Sequence, residues 1–158
     1  MVAYPFDGYW KDVGTIESLW QANMDLLLSP PAFNLYDSSW RIYARNPIMP
    51  PHYMAAEATV SNSMVTEGCN VRGTVINSIL FAGVQVEEGA VIENSVIMNG
   101  ARIMKDARVR RAIVSEHAVV GENSVVGGAG DIAVVGQGVC LPEYSVVRPG
   151  EQADQEKA

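Results

Sequence analysis

Five of the chain's eleven lysines and arginines fall within residues 102–111: Arg102, Lys105, Arg108, Arg110 and Arg111. Arginine forks match phosphate oxygens two at a time and lysine adds a point charge, so this group suits a phosphorylated small molecule. The bland reading is a solvated face paired with Glu87, Glu88, Glu93 and Glu116 on neighbouring turns. The two readings divide about evenly for single residues and lean to the phosphate site for Arg108 and Arg111. A chain of net charge −7 does not need a cationic cluster for solubility. The same negative balance argues against a nucleic-acid partner, which draws on surplus Lys and Arg.

Other reactive residues are sparse. His52 and His117 are the two histidines, and Cys69 and Cys140 the two cysteines. Neither cysteine has the paired spacing of a zinc site or redox dithiol, so both are expected as reduced thiols in a cytosolic protein. A β-helical zinc enzyme of the carbonic anhydrase type needs three histidine ligands, more than this chain holds. A hexapeptide acyltransferase needs a histidine base; His52 lies in a linker and His117 stands where other turns have a corner glycine. No glycine-rich strand-to-helix phosphate cradle occurs. No run approaches the ~20 apolar residues needed to cross a bilayer, so no membrane partner is expected, and the opening MVAYPFDGYW lacks the pattern of a signal peptide.

The element that must carry the cationic group is a repeat. Turns begin at Asn62-Ser63-Met64-Val65, Asn77-Ser78-Ile79-Leu80, Asn94-Ser95-Val96-Ile97 and Arg111-Ala112-Ile113-Val114, in steps of 15, 17 and 17 residues. Three apolar columns follow: Val65, Leu80, Ile97, Val114; then Val71, Val86, Ile103, Val120; then Ile76, Ile92, Val109, Val126. Three columns per turn define a triangular coil of short strands, stacked about 4.8 Å apart. Gly68, Gly83 and Gly100 form one corner column, and Asn62, Asn77 and Asn94 another; both residue types tolerate positive φ. A helix would need 3.6-residue periodicity, which is absent. The reading is a mainly β parallel solenoid over residues 55–149, its last turn made irregular by GGAGD, with a frayed polar tail at 150–158. Its open ends and flat faces also suit a purely structural role in assembly.

Two segments precede it. Thr15 caps a helix with apolar residues at Ile16, Leu19, Trp20, Met24, Leu27 and Leu28, ended by Pro30-Pro31. About thirteen residues is marginal for a lone helix, so it must dock. Residues 29–54, with Pro30, Pro31, Pro47, Pro50 and Pro51 among Tyr36, Trp40 and Tyr43, read as an extended, ordered linker whose aromatics bury.

Residues 8–27, GYWKDVGTIESLWQANMDLL, resemble the end of the catalytic domain of bacterial ADP-glucose pyrophosphorylases (glucose-1-phosphate adenylyltransferases). The resemblance continues through LYDSSWRIY (35–43), the prolines at 50–51, SMVTEGC (63–69), SILFAGV (78–84) and RVRRAIV (108–114), nearly the whole chain in order. It implies a left-handed β-helix, a handedness that periodicity does not give. It also implies that residues 1–28 are the end of a nucleotidyltransferase domain. That family makes ADP-glucose from ATP and glucose 1-phosphate for glycogen or starch, as an Mg²⁺-dependent tetramer under allosteric control. By resemblance, Asp12 matches a metal-binding carboxylate, and Trp10 and Lys11 lie beside the sugar-phosphate pocket. The remaining catalytic groups belong to an N-terminal domain not in this sequence, so the isolated chain is expected to be inactive and to hold no Mg²⁺. The partners implied are that domain, further subunits of an oligomer, alike or sister, and a phosphorylated effector bound by the cationic turn.

Overall fold

In a computed structural model, residues 2–40, 43 and 48–154 are described; Pro47 and the last four residues of the expected tail lie outside them. From Tyr53 to Ala153 the chain forms eighteen short strands in three six-stranded parallel sheets, with the hexapeptide-repeat layout of the left-handed β-helix. Face 1 runs from Tyr53–Met54 to Cys140–Leu141, face 2 from Thr59–Ser61 to Val146–Val147, and face 3 from Met64–Val65 to Gln152–Ala153. Each inner strand pairs with its equivalents one turn below and above, and the strands at the two ends pair on one side, as in Asn70 with Gln85 and Val91 with Arg108.

The inward columns build one continuous core. Leu80, Ile97 and Val114 on face 3, and Val71, Val86, Ile103 and Val120 on face 1, are completely or almost completely buried. Full burial of each aliphatic side chain contributes ~1.5–3 kcal/mol before chain entropy is set against it. Face 2 corrects the third column by one residue. Val75, not Ile76, pairs with Ile92 and is 0% exposed, whereas Ile76 pairs with Glu93 and is 37% exposed. A slip of one residue reverses the side-chain face, because strand periodicity is two. The 15-residue step misleads here because its missing residues lie between Val71 and Thr74. That corner is so tight that a Cβ on Gly73 would lie 2.4 Å from the Ala90 carbonyl oxygen.

The corners follow the residue pattern. Asn62, Asn77 and Asn94 have φ of 44°, 45° and 48°, and each amide side chain hydrogen-bonds the next, at 2.8 and 2.7 Å. Beside them, Ser63, Ser78 and Ser95 Oγ accept the backbone N–H of Ser78, Ser95 and Ala112, so buried corner amides are satisfied. His117 takes φ 57° in the Gly68, Gly83, Gly100 column, a turn residue as its position implies. The irregular turn is also present: Ala112 pairs with Ala133, a step of 21 residues that absorbs the GGAGD insertion.

Three further expectations change. The tail is ordered further than expected, because Gln152–Ala153 pairs with Val134–Val135 as the last strand of face 3. The solenoid also starts earlier than residue 55, since Tyr53–Met54 pairs with Asn70–Val71. In the linker, Tyr36, Trp40 and Tyr43 are exposed rather than buried, and turns and bends replace an extended path. Among the described residues the linker buries an aromatic only partly, at Phe33, whose ring centre lies 6.3 Å from that of Tyr9.

The helix α1 spans Ile16–Met24 and runs into a 3-10 turn at Asp25–Leu27. Thr15 caps it through a reciprocal box with Ser18: Ser18 N–H donates to Thr15 Oγ1 at 3.1 Å, and Thr15 N–H donates to Ser18 Oγ at 3.0 Å. α1 lies on the outer side of face 3. Trp20 and Met24 pack against Ile79, Val96, Ile113 and Ile132, forming a second apolar cluster outside the solenoid core. Trp20 Nε1 donates to the Asn94 carbonyl at 2.8 Å. No helix among the described residues is long and apolar enough to cross a membrane.

Candidate functional site: a cationic cleft beside a docked helix

The cationic turn is divided by the triangular geometry. Arg102 points outward from face 1, and Lys105 lies at the corner between faces 1 and 2. Arg108 and Arg110 alternate with buried Val109 on one face 2 strand and so project from the same outer surface. Arg111 occupies the next corner. The five residues clustered in sequence therefore wrap around the solenoid, and of them only Arg108 and Arg110 share a cleft. Its other walls are Val91, Glu93, Val125 and Gly127-Gly128, around about 250 Å³.

Arg110 Nε lies 3.6 Å from Glu93 Oε2, one of the acidic pairings expected for a solvated face. Among the described residues Arg108 forms no ion pair within 4 Å. Two residues along a strand separate the two side chains by about 6.6 Å at the backbone, a span suited to two phosphoryl groups or a pyrophosphate. Arg111 is committed elsewhere. Its guanidinium carbon lies 4.6 Å from the centre of the Trp20 ring, its Nε donates to the Gly130 carbonyl at 2.7 Å, and its Nη2 is 3.4 Å from Glu17.

The segment preceding α1 is organised by Asp25, a residue that motif reading passed over. Asp25 is buried and accepts hydrogen bonds from Lys11 Nζ at 2.6 Å, Tyr9 Oη at 2.9 Å and Gln21 Nε2 at 2.9 Å. Burial acts to raise its pKa. The hydrogen bonds from Gln21, Lys11 and Tyr9, with the Lys11 charge, outweigh burial and hold the carboxyl below its ordinary value. For Tyr9, burial and then the Asp25 carboxylate push the phenol up. The signal available in the sequence was an aspartate at the end of an apolar helical stripe, where a carboxylate is disfavoured by the helix dipole unless it has partners.

Lys11 thus faces Asp25 within this chain, Trp10 is 76% exposed, and Asp12 is exposed, with Oδ1 accepting the Gly14 N–H at 3.0 Å. No three His, Cys, Asp or Glu residues gather into a metal-holding group among the described residues. A magnesium site needs a nearly octahedral set of oxygens, and Asp12 supplies a single carboxylate. The residues present do not fit a complete site. His52 lines a shallow hollow with Leu35, Tyr36 and Met54, away from His117 at its corner. Neither cysteine is in a disulfide: Cys69 is buried, which pushes its thiol pKa up, and Cys140 is exposed.

Parallel triangular turns, positive-φ corners and inward aliphatic columns define the hexapeptide-repeat class of β-solenoid. Within that class, residues 51–141 match the model of the GlmU-like C-terminal hexapeptide family, and the chain belongs to it. Over 92 residues the chain is 63% identical to a glucose-1-phosphate adenylyltransferase of Clostridium botulinum, covering 58% of this chain and 24% of that protein. The corresponding enzyme of Geobacillus stearothermophilus is 60% identical over 90 residues, 57% of this chain and 23% of that protein. That of Bacillus mycoides is 55% identical over 92 residues, 58% of this chain and 24% of its own length. The resemblance read from the motifs is thus borne out over more than half the chain, which spans about a quarter of the relatives' length.

Proposed function

We propose that this chain is the regulatory and assembly module of a glucose-1-phosphate adenylyltransferase. The observations that carry the reading are identity of 55–63% over 90–92 residues to proteins of that name, together with the hexapeptide-family match over residues 51–141. The catalytic groups reside in a nucleotidyltransferase domain with which residues 1–28 associate. Asp12 contributes one ligand to a magnesium site completed there, and Trp10 and Lys11 border its sugar-phosphate pocket. Mg²⁺ held at that completed site would neutralise charge on the phosphates. This chain's part is to hold Asp12 beside a helix anchored by Thr15, Asp25 and Trp20.

The Arg108–Arg110 cleft binds a phosphorylated effector, and the edge strands at the two ends of the solenoid serve assembly with further subunits, alike or sister, in the cytoplasm. The purified chain, given ATP, glucose 1-phosphate and Mg²⁺, is expected to form no ADP-glucose; formation of product would overturn this reading. In a protein carrying both domains, Arg108→Ala is expected to weaken activation by fructose 1,6-bisphosphate or AMP. Equal activation of variant and parent would remove the cleft from regulation.

A further inference from the structure

The corner between faces 2 and 3 holds asparagine on three successive turns, each at positive φ and each bonded to the next. On the fourth turn Arg111 stands in that column at φ 47°. Asparagine tolerates this left-handed backbone far better than arginine, so the local preference of the repeat has been overridden. A local rule broken inside a regular repeat points to a gain made elsewhere.

The gain lies in side-chain contacts that the corner asparagines, bonded to one another, do not make. Arg111 stacks on Trp20, faces Glu17 of α1 and donates to the Gly130 carbonyl in the inserted loop. That loop is continuous with the cleft wall. Gly127 and Gly128 line the cleft, and Gly128 N–H donates to the Arg110 carbonyl at 3.0 Å. One short backbone segment, 127–130, therefore has the Arg108–Arg110 cleft on one side and the Arg111 guanidinium on the other. Gly127, Gly128 and Gly130 all have positive φ, a backbone that small rotations readily re-aim.

We propose that Arg111 is a positioning residue that couples the anion cleft to helix α1. A phosphorylated ligand drawing Arg108 and Arg110 toward it displaces the 127–130 segment, and Arg111 carries that displacement to Trp20. The role differs from direct effector binding by Arg111, because its donors already face Trp20, Gly130 and Glu17. This inference rests on the reading of the cleft as a phosphate site.

The test uses the whole chain with Trp10→Phe and Trp40→Phe, so that Trp20 is the sole indole. Inorganic pyrophosphate is the probe, with calorimetry reporting binding and indole emission reporting the helix. Arg111→Asn restores the residue of the other three turns, so it removes the guanidinium while suiting the corner; circular dichroism checks that the solenoid persists. With Arg111 in place, pyrophosphate is expected to bind and shift the Trp20 emission. Arg111→Asn should bind within about fivefold of the parent, below the upper part of the usual coupling range, yet lose the emission shift. Arg108→Ala with Arg110→Ala should lose binding itself. A full emission shift in Arg111→Asn, or binding by the parent with no shift, would overturn the coupling. Absence of binding by the parent would instead overturn the cleft reading, and the coupling with it.

Discussion

Truncating Trp20 to alanine is expected to release α1 while leaving the solenoid folded. Trp20 is 8% exposed, lies with Met24 against Ile79, Val96, Ile113 and Ile132, donates to the Asn94 carbonyl, and is covered by Arg111. Removing a buried tryptophan costs about 3–5 kcal/mol. Of this, the indole hydrogen bond accounts for ~0.5–1.5 kcal/mol and the cation–π contact for at least ~0.5 kcal/mol. The nine residues of α1 are fewer than the ~12–15 that an isolated helix needs in water. Loss of docking therefore becomes loss of helix. The inward columns form a separate cluster that does not include Trp20, so they retain their packing. Hydrogen exchange measures the consequence locally. Amides within α1 are expected to exchange roughly 100- to 4,000-fold faster, at 1.4 kcal/mol per tenfold, while those of Val71, Val86 and Ile103 keep their protection. Unchanged protection in α1 would refute the assigned docking energy. An equal loss across the solenoid would refute the separation into two clusters.

The one-residue correction on face 2 gives a paired prediction: Val75→Asp places a carboxylate in the core and should lower stability by about 3 kcal/mol or more, whereas Ile76→Asp should cost less than about 1 kcal/mol. Urea titration of the two variants measures the difference, and equal midpoints would contradict the register. Asp25 predicts the acid limb. Its pKa is lowered on folding, so its contribution is present above the unfolded value and is lost as pH falls through the lower folded value. Asp25→Asn should destabilise docking of residues 9–27 at neutral pH and flatten the dependence of α1 exchange on pH below the ordinary carboxylate range. An unchanged acid limb in that variant would show that other carboxylates produce it.

The extent of legibility differs between the solenoid and its surroundings. Repetition stated the same local rule several times, so the columns at Val65, Leu80, Ile97 and Val114 and the corners at Asn62, Asn77 and Asn94 were readable from residue types. The face 2 column failed at Ile76 because a shortened corner carries no signal beyond its length. The helix was readable from its cap and stripe, and its need for a docking surface from its brevity. The surface itself was also written in the chain, as the apolar residue preceding each face 3 column residue: Met64, Ile79, Val96 and Ile113.

The cationic group shows where sequence stops. Residues 102–111 are neighbours along the chain, and the types of Arg102, Lys105, Arg108, Arg110 and Arg111 already indicated an affinity for anions. Which of them act together depends on corners that send adjacent residues to different faces. Only Arg108 and Arg110 remain side by side, while Arg111 is turned toward Trp20, 91 positions earlier. Asp25 depended likewise on partners brought back from Tyr9 and Lys11. By itself, the sequence determined strand length, corner chemistry and the inward columns, because those preferences are local and repeated. The tertiary structure alone decided the cleft, the helix anchor and the bond between Arg111 and the inserted loop, because each depends on the spatial meeting of residues that no spacing rule connects.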